Sequence, residues 1–212
     1  MKIFIDLDDV LFNAKMFVAD LKKAFLESGI PEDLFDRFYI DYPIKGPNGV
    51  RMYNVWKHLD LIRGSGEDVS KAEEAVGSLM ASVGKYLFGD VADFLEDMKG
   101  NSLFLVSYGE TEFQRAKMGS LSRNEAFLEC VVSENAKSEV IGELLKRHDI
   151  RSLGRSFFID DRLENIQDIK NRFPEMTTIL MHRKEGRYQD PADETCDYVV
   201  ENLLEAGKII IS

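Results

Sequence analysis

Residues 3–12 read Ile3-Phe4-Ile5-Asp6-Leu7-Asp8-Asp9-Val10-Leu11-Phe12. Three consecutive apolar residues with no alternation read as a strand covered on both faces. Three acids then arrive at once. Asp6 and Asp8 lie two residues apart, so on an extended backbone their side chains project to the same side. Carboxylates packed directly against a buried strand are costly unless a cation compensates them, and a hard dication with oxygen ligands is the natural compensator. A competing reading gives the acids to helix capping at the start of the segment that follows. Capping accounts for one Asp and not for three.

Similar apolar runs recur at Leu103-Phe104-Leu105-Val106, Phe157-Phe158-Ile159 and Thr178-Ile179-Leu180-Met181. Between the later runs, residues 111–118, 137–147 and 163–171 mix charged and apolar residues at three- and four-residue spacing, which predicts helices. Strand and helix in alternation predict an α/β fold: a Rossmann-like parallel sheet with helices on both faces. The first strand breaks the rhythm. Some ninety residues with few strand signals follow it. Residues 14–28, 50–60 and 67–83 read as helices, with a turn-rich piece over 43–49 and an Arg63-Gly64-Ser65-Gly66 link. The Gly-Ser-Gly stretch has no strand before it and reads as a linker, not a phosphate loop. These features predict a helical cap over 13–88, inserted after the first strand of a core made of 1–12 and 89–212.

In open parallel sheets, function sits at the carboxyl ends of the strands. Two further strand ends are polar. Ser107-Tyr108-Gly109 offers a hydroxyl and backbone N–H groups before a helix, a combination that can hold a phosphate oxygen. Asp160-Asp161-Arg162 repeats the pattern of acids after an apolar strand, with capping of the next helix by Asp161 as the rival reading.

Taken together, these segments resemble the haloacid dehalogenase-like (HAD) hydrolase superfamily. Its first motif, an apolar strand followed by Asp-x-Asp, stands as IFIDLDDVLF; its second as LFLVSYG; its last, a strand ending in an acidic pair, as FFIDDRLEN. The insertion falls where this family places a cap. The resemblance implies a magnesium-dependent phosphatase acting on a small phosphorylated metabolite. Asp6 would be the nucleophile that forms an aspartyl-phosphate. Asp8 would be the acid and base, with its pKa raised by an ionised Asp6 nearby. Ser107 and a lysine would neutralise the phosphate oxygens. Lys137, just before the segment SEVIGELLK, occupies the family's usual position for that lysine, and Lys117 is the alternative. Magnesium (Mg2+) would be held by Asp6, the backbone carbonyl of Asp8, and Asp160 or Asp161, with Asp161 the first choice. Asp8 also argues against the dehalogenating branch, which does not use a second Asp in this way. IDDR resembles the deoxyribonucleotidase branch, so a nucleoside monophosphate is the alternative substrate. A phospho-ligand-binding member without catalysis is a further alternative.

Bulk properties set the frame. The chain has 212 residues, with 27 Lys and Arg against 38 Asp and Glu, for a net charge of −11. Such a surface repels nucleic-acid polymers. Ile3–Ile5 is cut short by Asp6, so it does not read as a leader, and no apolar run approaches a membrane span. Cys130 and Cys196 lie far apart and read as buried thiols, which fits a reducing, cytoplasmic setting and a monomer or homodimer. Aromatics crowd the insertion (Phe35, Phe38, Tyr39, Tyr42, Tyr53, Trp56) and read mostly as its core, some of them facing the site, with Arg51, Lys57 or His58 nearby.

Overall fold

The computed structural model describes all residues except Pro47, Asn48, Val50, Ser120, Ser122, Arg123 and Asn124. Six parallel strands form one sheet in the order β3-β2-β1-β4-β5-β6. They are β1 (Lys2–Ile5), β2 (Ser102–Tyr108), β3 (Phe127–Ser133), β4 (Ser156–Asp160), β5 (Thr177–Met181) and β6 (Tyr198–Val200). The strand order reverses direction at β1, which leaves a crevice at the carboxyl ends of β1, β2 and β4. The apolar runs form the centre of this sheet because both of its faces are covered. Ile3, Ile5, Leu103, Leu105 and Ile159 join one buried cluster, while Phe4, Phe104, Val106 and Phe158 join another. In-register pairing puts Ile5 beside both Leu105 and Ile159, so the alternation of side chains is shared across the three strands. Phe4 and Phe104 stack with centroids 4.9 Å apart.

The helices after the insertion are α5 (Val91–Asp97), α6 (Thr111–Met118), α7 (Lys137–Arg147), α8 (Leu163–Arg172) and α9 (Leu203–Ile211). Three of these fall where the three- and four-residue spacing put them. The helices α5 and α9 and the strand β6 carry weaker patterns, which the sequence reading passed over.

Residues 13–88 hold α1 (Ala14–Glu27), α2 (Glu32–Ile40), α3 (Val55–Gly64) and α4 (Ser70–Ala81), with no strand among the described residues. The sequence reading missed α2, whose nine residues follow Pro31 at its N-cap. It also started α3 too early. Asn54 ends the preceding extended segment and caps α3 by accepting from the N–H groups of Trp56 and Lys57. The turn at 43–49 lies partly outside the described residues; around it, Gly49 N–H donates to Gly46 O and Met52 N–H to Ile44 O. The Gly64-Ser65-Gly66 link is a helix stop, with Gly66 at φ +103°.

The chain leaves and re-enters the sheet through one neck. Phe12 bridges Leu87, Asn13 N–H donates to Tyr86 O, and Phe88 N–H donates to Leu11 O. The aromatic rings of Phe12, Phe17 and Tyr86 pack around it at 5.2–5.7 Å. The apolar cluster on one sheet face continues through this neck into α1, α3 and α4. Both cysteines are half-buried and free, less enclosed than the sequence suggested.

Within the insertion, His58 lies fully buried among Phe25, Phe35, Tyr39 and Tyr53, with Nδ1 2.9 Å from the Tyr53 hydroxyl. Burial pushes its pKa down to about 4. Below the ordinary value near 6.5 the unfolded chain takes up a proton that the folded chain refuses, so stability falls as pH drops toward 4, by roughly 3 kcal/mol in all. Denaturant unfolding between pH 7 and 4 should show this loss. His58→Phe should flatten the slope relative to the wild type, and an unchanged slope would remove His58 as its origin.

Candidate active site

The acids after β1 do not cap a helix. Asn13 caps α1, accepting from Met16 N–H at 2.8 Å. Asp6 instead continues the ladder, its N–H donating to Ile159 O at 3.0 Å. The chain then folds tightly: Leu11 and Phe12 N–H both reach Leu7 O, and Asp9 adopts the left-handed conformation at φ +55°. Asp is one of the residue types that tolerates this region. The turn sends the three carboxylates to three different partners.

Lys137 Nζ lies 2.6 Å from Asp6 Oδ1 and 2.5 Å from Asp160 Oδ2, and all three side chains are buried. Its place is fixed from α8. No side chain of its own loop caps α7, but Asp168 of α8 accepts from Ser138 N–H at 3.1 Å and from Ser138 Oγ at 2.9 Å. Asp160 is held on its other oxygen by Arg162 N–H at 3.0 Å and Asn165 Nδ2 at 2.9 Å. Asp161 completes the group. Asp6, Asp160 and Asp161 each place a carboxylate oxygen within 4.8 Å of the others, and Asp161 Oδ2 is buried with no partner. Asp161 caps nothing; Arg162 occupies the N-cap of α8, without a side-chain cap. Burial raises Asp6 to about 7, against the pull of Lys137 and with a push from Asp160. Burial together with Asp160 and Asp6 holds Asp161 well above the carboxylate range.

Lys117 belongs to a different acid. Its ammonium sits on Asp8 Oδ1, while Gln114 Nε2 donates to Asp8 Oδ2 at 3.1 Å. The two lysines that the sequence left as alternatives therefore serve Asp6 and Asp8 separately. The expectation of a raised Asp8 pKa is corrected here. Burial pushes it up, but Lys117, Arg187 and the Lys117 and Gln114 hydrogen bonds outweigh burial and hold it below its ordinary value. Asp9, which the sequence reading left without a role, is buried and paired with Arg187 Nε at 2.5 Å.

Asp6, Asp8, Lys117, Lys137, Asp161 and Arg187 line a cavity of about 410 Å3 between the sheet edge and the insertion. Tyr108 and Gly109 are on its wall. Ser107 is buried one residue behind them. Gly109 N–H is not free for a ligand; it donates to Ser133 O at 3.1 Å. Glycine is required there: a Cβ would lie 2.7 Å from Gln114 Nε2, at φ +150°. From the insertion come Ala14, Phe17 and Val18 of α1 together with Tyr39, Arg51 and Tyr53, while His58 and Lys57 stay off the wall. Lys57 and Asn54 bind Glu110, which caps α6 through Phe113 N–H. Arg187 and Gln114 escaped the sequence reading because neither lies at a strand end or in a recognisable pattern.

No protein-family model and no curated protein sequence matches this chain. Solved structures do. YfnB from Bacillus subtilis, assigned to the HAD-hydrolases and bound to magnesium, is 16% identical with a TM-score of 0.66 over 99% of this chain and 97% of that one. The fold is that of the HAD-like hydrolases. A Clostridium difficile protein assigned as a phosphatase gives 18% identity and a TM-score of 0.61, covering 98% and 97%. The L-2-haloacid dehalogenase from Xanthobacter autotrophicus gives 12% and 0.65, covering 100% and 98%. At these identities the likeness extends to the fold, and the neighbours include both a protein assigned as a phosphatase and dehalogenases. No helix among the described residues is long and apolar enough to cross a membrane.

Lys137→Met would leave three buried carboxylates within 4.8 Å of one another without their ammonium. Urea unfolding at neutral pH with chelator present should then show a loss of about 3–5 kcal/mol. Equal stability would mean that the ammonium does not hold the cluster together.

Proposed function

We propose that this chain is a magnesium-dependent phosphatase that hydrolyses a small phosphorylated metabolite through an aspartyl-phosphate on Asp6. The observation that carries the reading is the cluster of Asp6, Asp160 and Asp161 around Lys137. Three carboxylates gather around one ammonium at the head of the cavity, and for want of a further cation Asp6 and Asp161 are held above the ordinary carboxylate range. The donors are all oxygens and the Asp161 Oδ2 atom lacks a partner, which fits a hard dication such as Mg2+. When bound, the ion would supply positive charge that keeps Asp6 and Asp161 ionised and offsets charge on the phosphate. Asp161 is the better candidate ligand, because both Asp160 oxygens are already engaged.

Asp6 Oδ would attack phosphorus, and water would later release the phosphate. Lys137, already on Asp6, faces the non-bridging oxygens. The assignment of Ser107 to the same task rests on the motif resemblance and not on the cavity wall. Asp8, held ionised, is prepared to take a proton from the attacking water. In the first half-reaction the leaving oxygen needs a proton, and the Asp8–Lys117 pair has one to give, on Lys117 Nζ. The pairing of a second acid with a proton-bearing ammonium favours phosphate chemistry over dehalogenation, because an alkoxide leaving group needs a proton and a halide does not.

Phosphate release from phenyl phosphate and a panel of phosphorylated metabolites should require Mg2+, stop with chelator, and fall by at least about 1,000-fold in Asp6→Asn. Turnover that survives Asp6→Asn, or metal-free halide release from a 2-haloacid, would overturn the reading. Mg2+ should also raise the melting temperature. At a hundred times its Kd the ion adds about 2.7 kcal/mol of stability. Asp161→Asn should abolish most of that shift, and the same shift in the variant would remove Asp161 from the ligand set.

A further inference from the structure

Five cations line the cavity: Arg51, Lys117, Lys137, Arg162 and Arg187. Four have a carboxylate partner, namely Asp8 for Lys117, Asp6 and Asp160 for Lys137, Glu164 for Arg162 and Asp9 for Arg187. Arg51 has none among the described residues. It is not loosely placed. Its backbone bridges Lys45, its Nη1 donates to Tyr39 O at 2.6 Å, and its guanidinium lies 4.5 Å from the Tyr39 ring centroid and 5.8 Å from that of Tyr53. A guanidinium has five N–H donors in a planar fork, and among the described residues a single hydrogen bond, to Tyr39 O, uses them. Arg51 is exposed, and the contact with Tyr39 together with the hydrogen bond to Tyr39 O restrains its fork at the cavity wall.

From Lys117, which sits on Asp8, to Arg51 the contacts run through aromatic rings: Lys117 Nζ lies 5.5 Å from the Phe113 centroid, Phe113 lies 5.5 Å from Tyr53, and Tyr53 lies 5.8 Å from the Arg51 guanidinium. Phe17, Val18 and Phe113 line the same cavity, beside the tyrosine rings. The cavity thus has a phosphate end at Asp6 on the sheet, an aromatic middle, and an unpaired planar cation on the insertion. We infer that Arg51 binds a second anionic group of the substrate, a carboxylate, and that the substrate is a phosphate monoester carrying that carboxylate at the end of an apolar stem. A carboxylate matches the fork in two parallel hydrogen bonds. The inference rests on the phosphatase reading of Asp6 and adds the organic half of the substrate to it.

The test uses ω-phosphonooxyalkanoates of increasing chain length, each beside its methyl ester, with phenyl phosphate as the ester that lacks a second anion. At the best length the wild type should prefer the free acid to its methyl ester by about 10- to 100-fold in kcat/KM, the size of one charge-assisted contact, and mainly through KM. Arg51→Gln should bring that ratio to about one, and Arg51→Lys should leave it between the two. The ratio cancels any loss of folded enzyme. A wild-type ratio near one at every length, with phenyl phosphate still cleaved in an Asp6-dependent way, would overturn the Arg51 subsite alone. A ratio that persists in Arg51→Gln would do the same. A wild type that cleaves none of these esters would overturn the phosphatase reading and the subsite together.

Discussion

The ammonium of Lys137 between Asp6 and Asp160 is the contact on which the site depends. It joins the ends of β1 and β4 to the start of α7 at the buried head of the cavity. Buried carboxylates at this density are unstable without a cation, because each lost its hydration on folding, and Asp160 pushes up the pKa of Asp6 while both push up that of Asp161. One ammonium satisfies part of the deficit. The remainder appears as the partnerless oxygen of Asp161 and the raised pKa of Asp6. A site left short of positive charge in this way is prepared for a ligand that carries some.

Around that contact the molecule separates its like charges by distributing its cations among the acids. Asp6 and Asp160 share Lys137, Asp8 takes Lys117, and Asp9 takes Arg187. Arg183 performs the same service at the back of the turn. It donates to Val10 O at 2.8 Å and to both oxygens of Asp90, and lies 4.0 Å from the Phe88 ring centroid. The turn that carries the acids is thereby tied to the exit of the insertion. Position and protonation are coupled through this arrangement: Asp8 stays ionised because its neighbour on the other side is an ammonium and not Asp6.

The insertion contributes shape more than charge. Its aromatic residues pack around His58, and the outer members of that group, Tyr39 and Tyr53, double as cavity wall. Asn54 caps α3 and donates to Glu110, the cap of α6, so one polar junction fixes the two helix starts that flank the mouth. Arg51 stands on the same surface without an acidic partner among the described residues.

The sheet and the order of its acidic ends were legible in the sequence. Runs such as Phe157-Phe158-Ile159 have no alternation and can only be covered on both faces, and polar residues directly after such runs must lie at strand ends. These are local constraints, set by neighbours along the chain. Asp6, Asp160 and Asp161 were found this way, and so was the helical character of the insertion. What the sequence did not decide was pairing. The sequence favoured Lys137 as the lysine beside Asp6 and left Lys117 as the alternative, and only the packing of α6 and α7 against different sides of the crevice gives Lys117 to Asp8. The same holds for Arg187 and Gln114, whose roles come from contacts across more than a hundred residues. The charge state of Asp8 reversed for that reason: proximity to Asp6 is visible in Asp-x-Asp, whereas the cation that outweighs it is brought in by the fold.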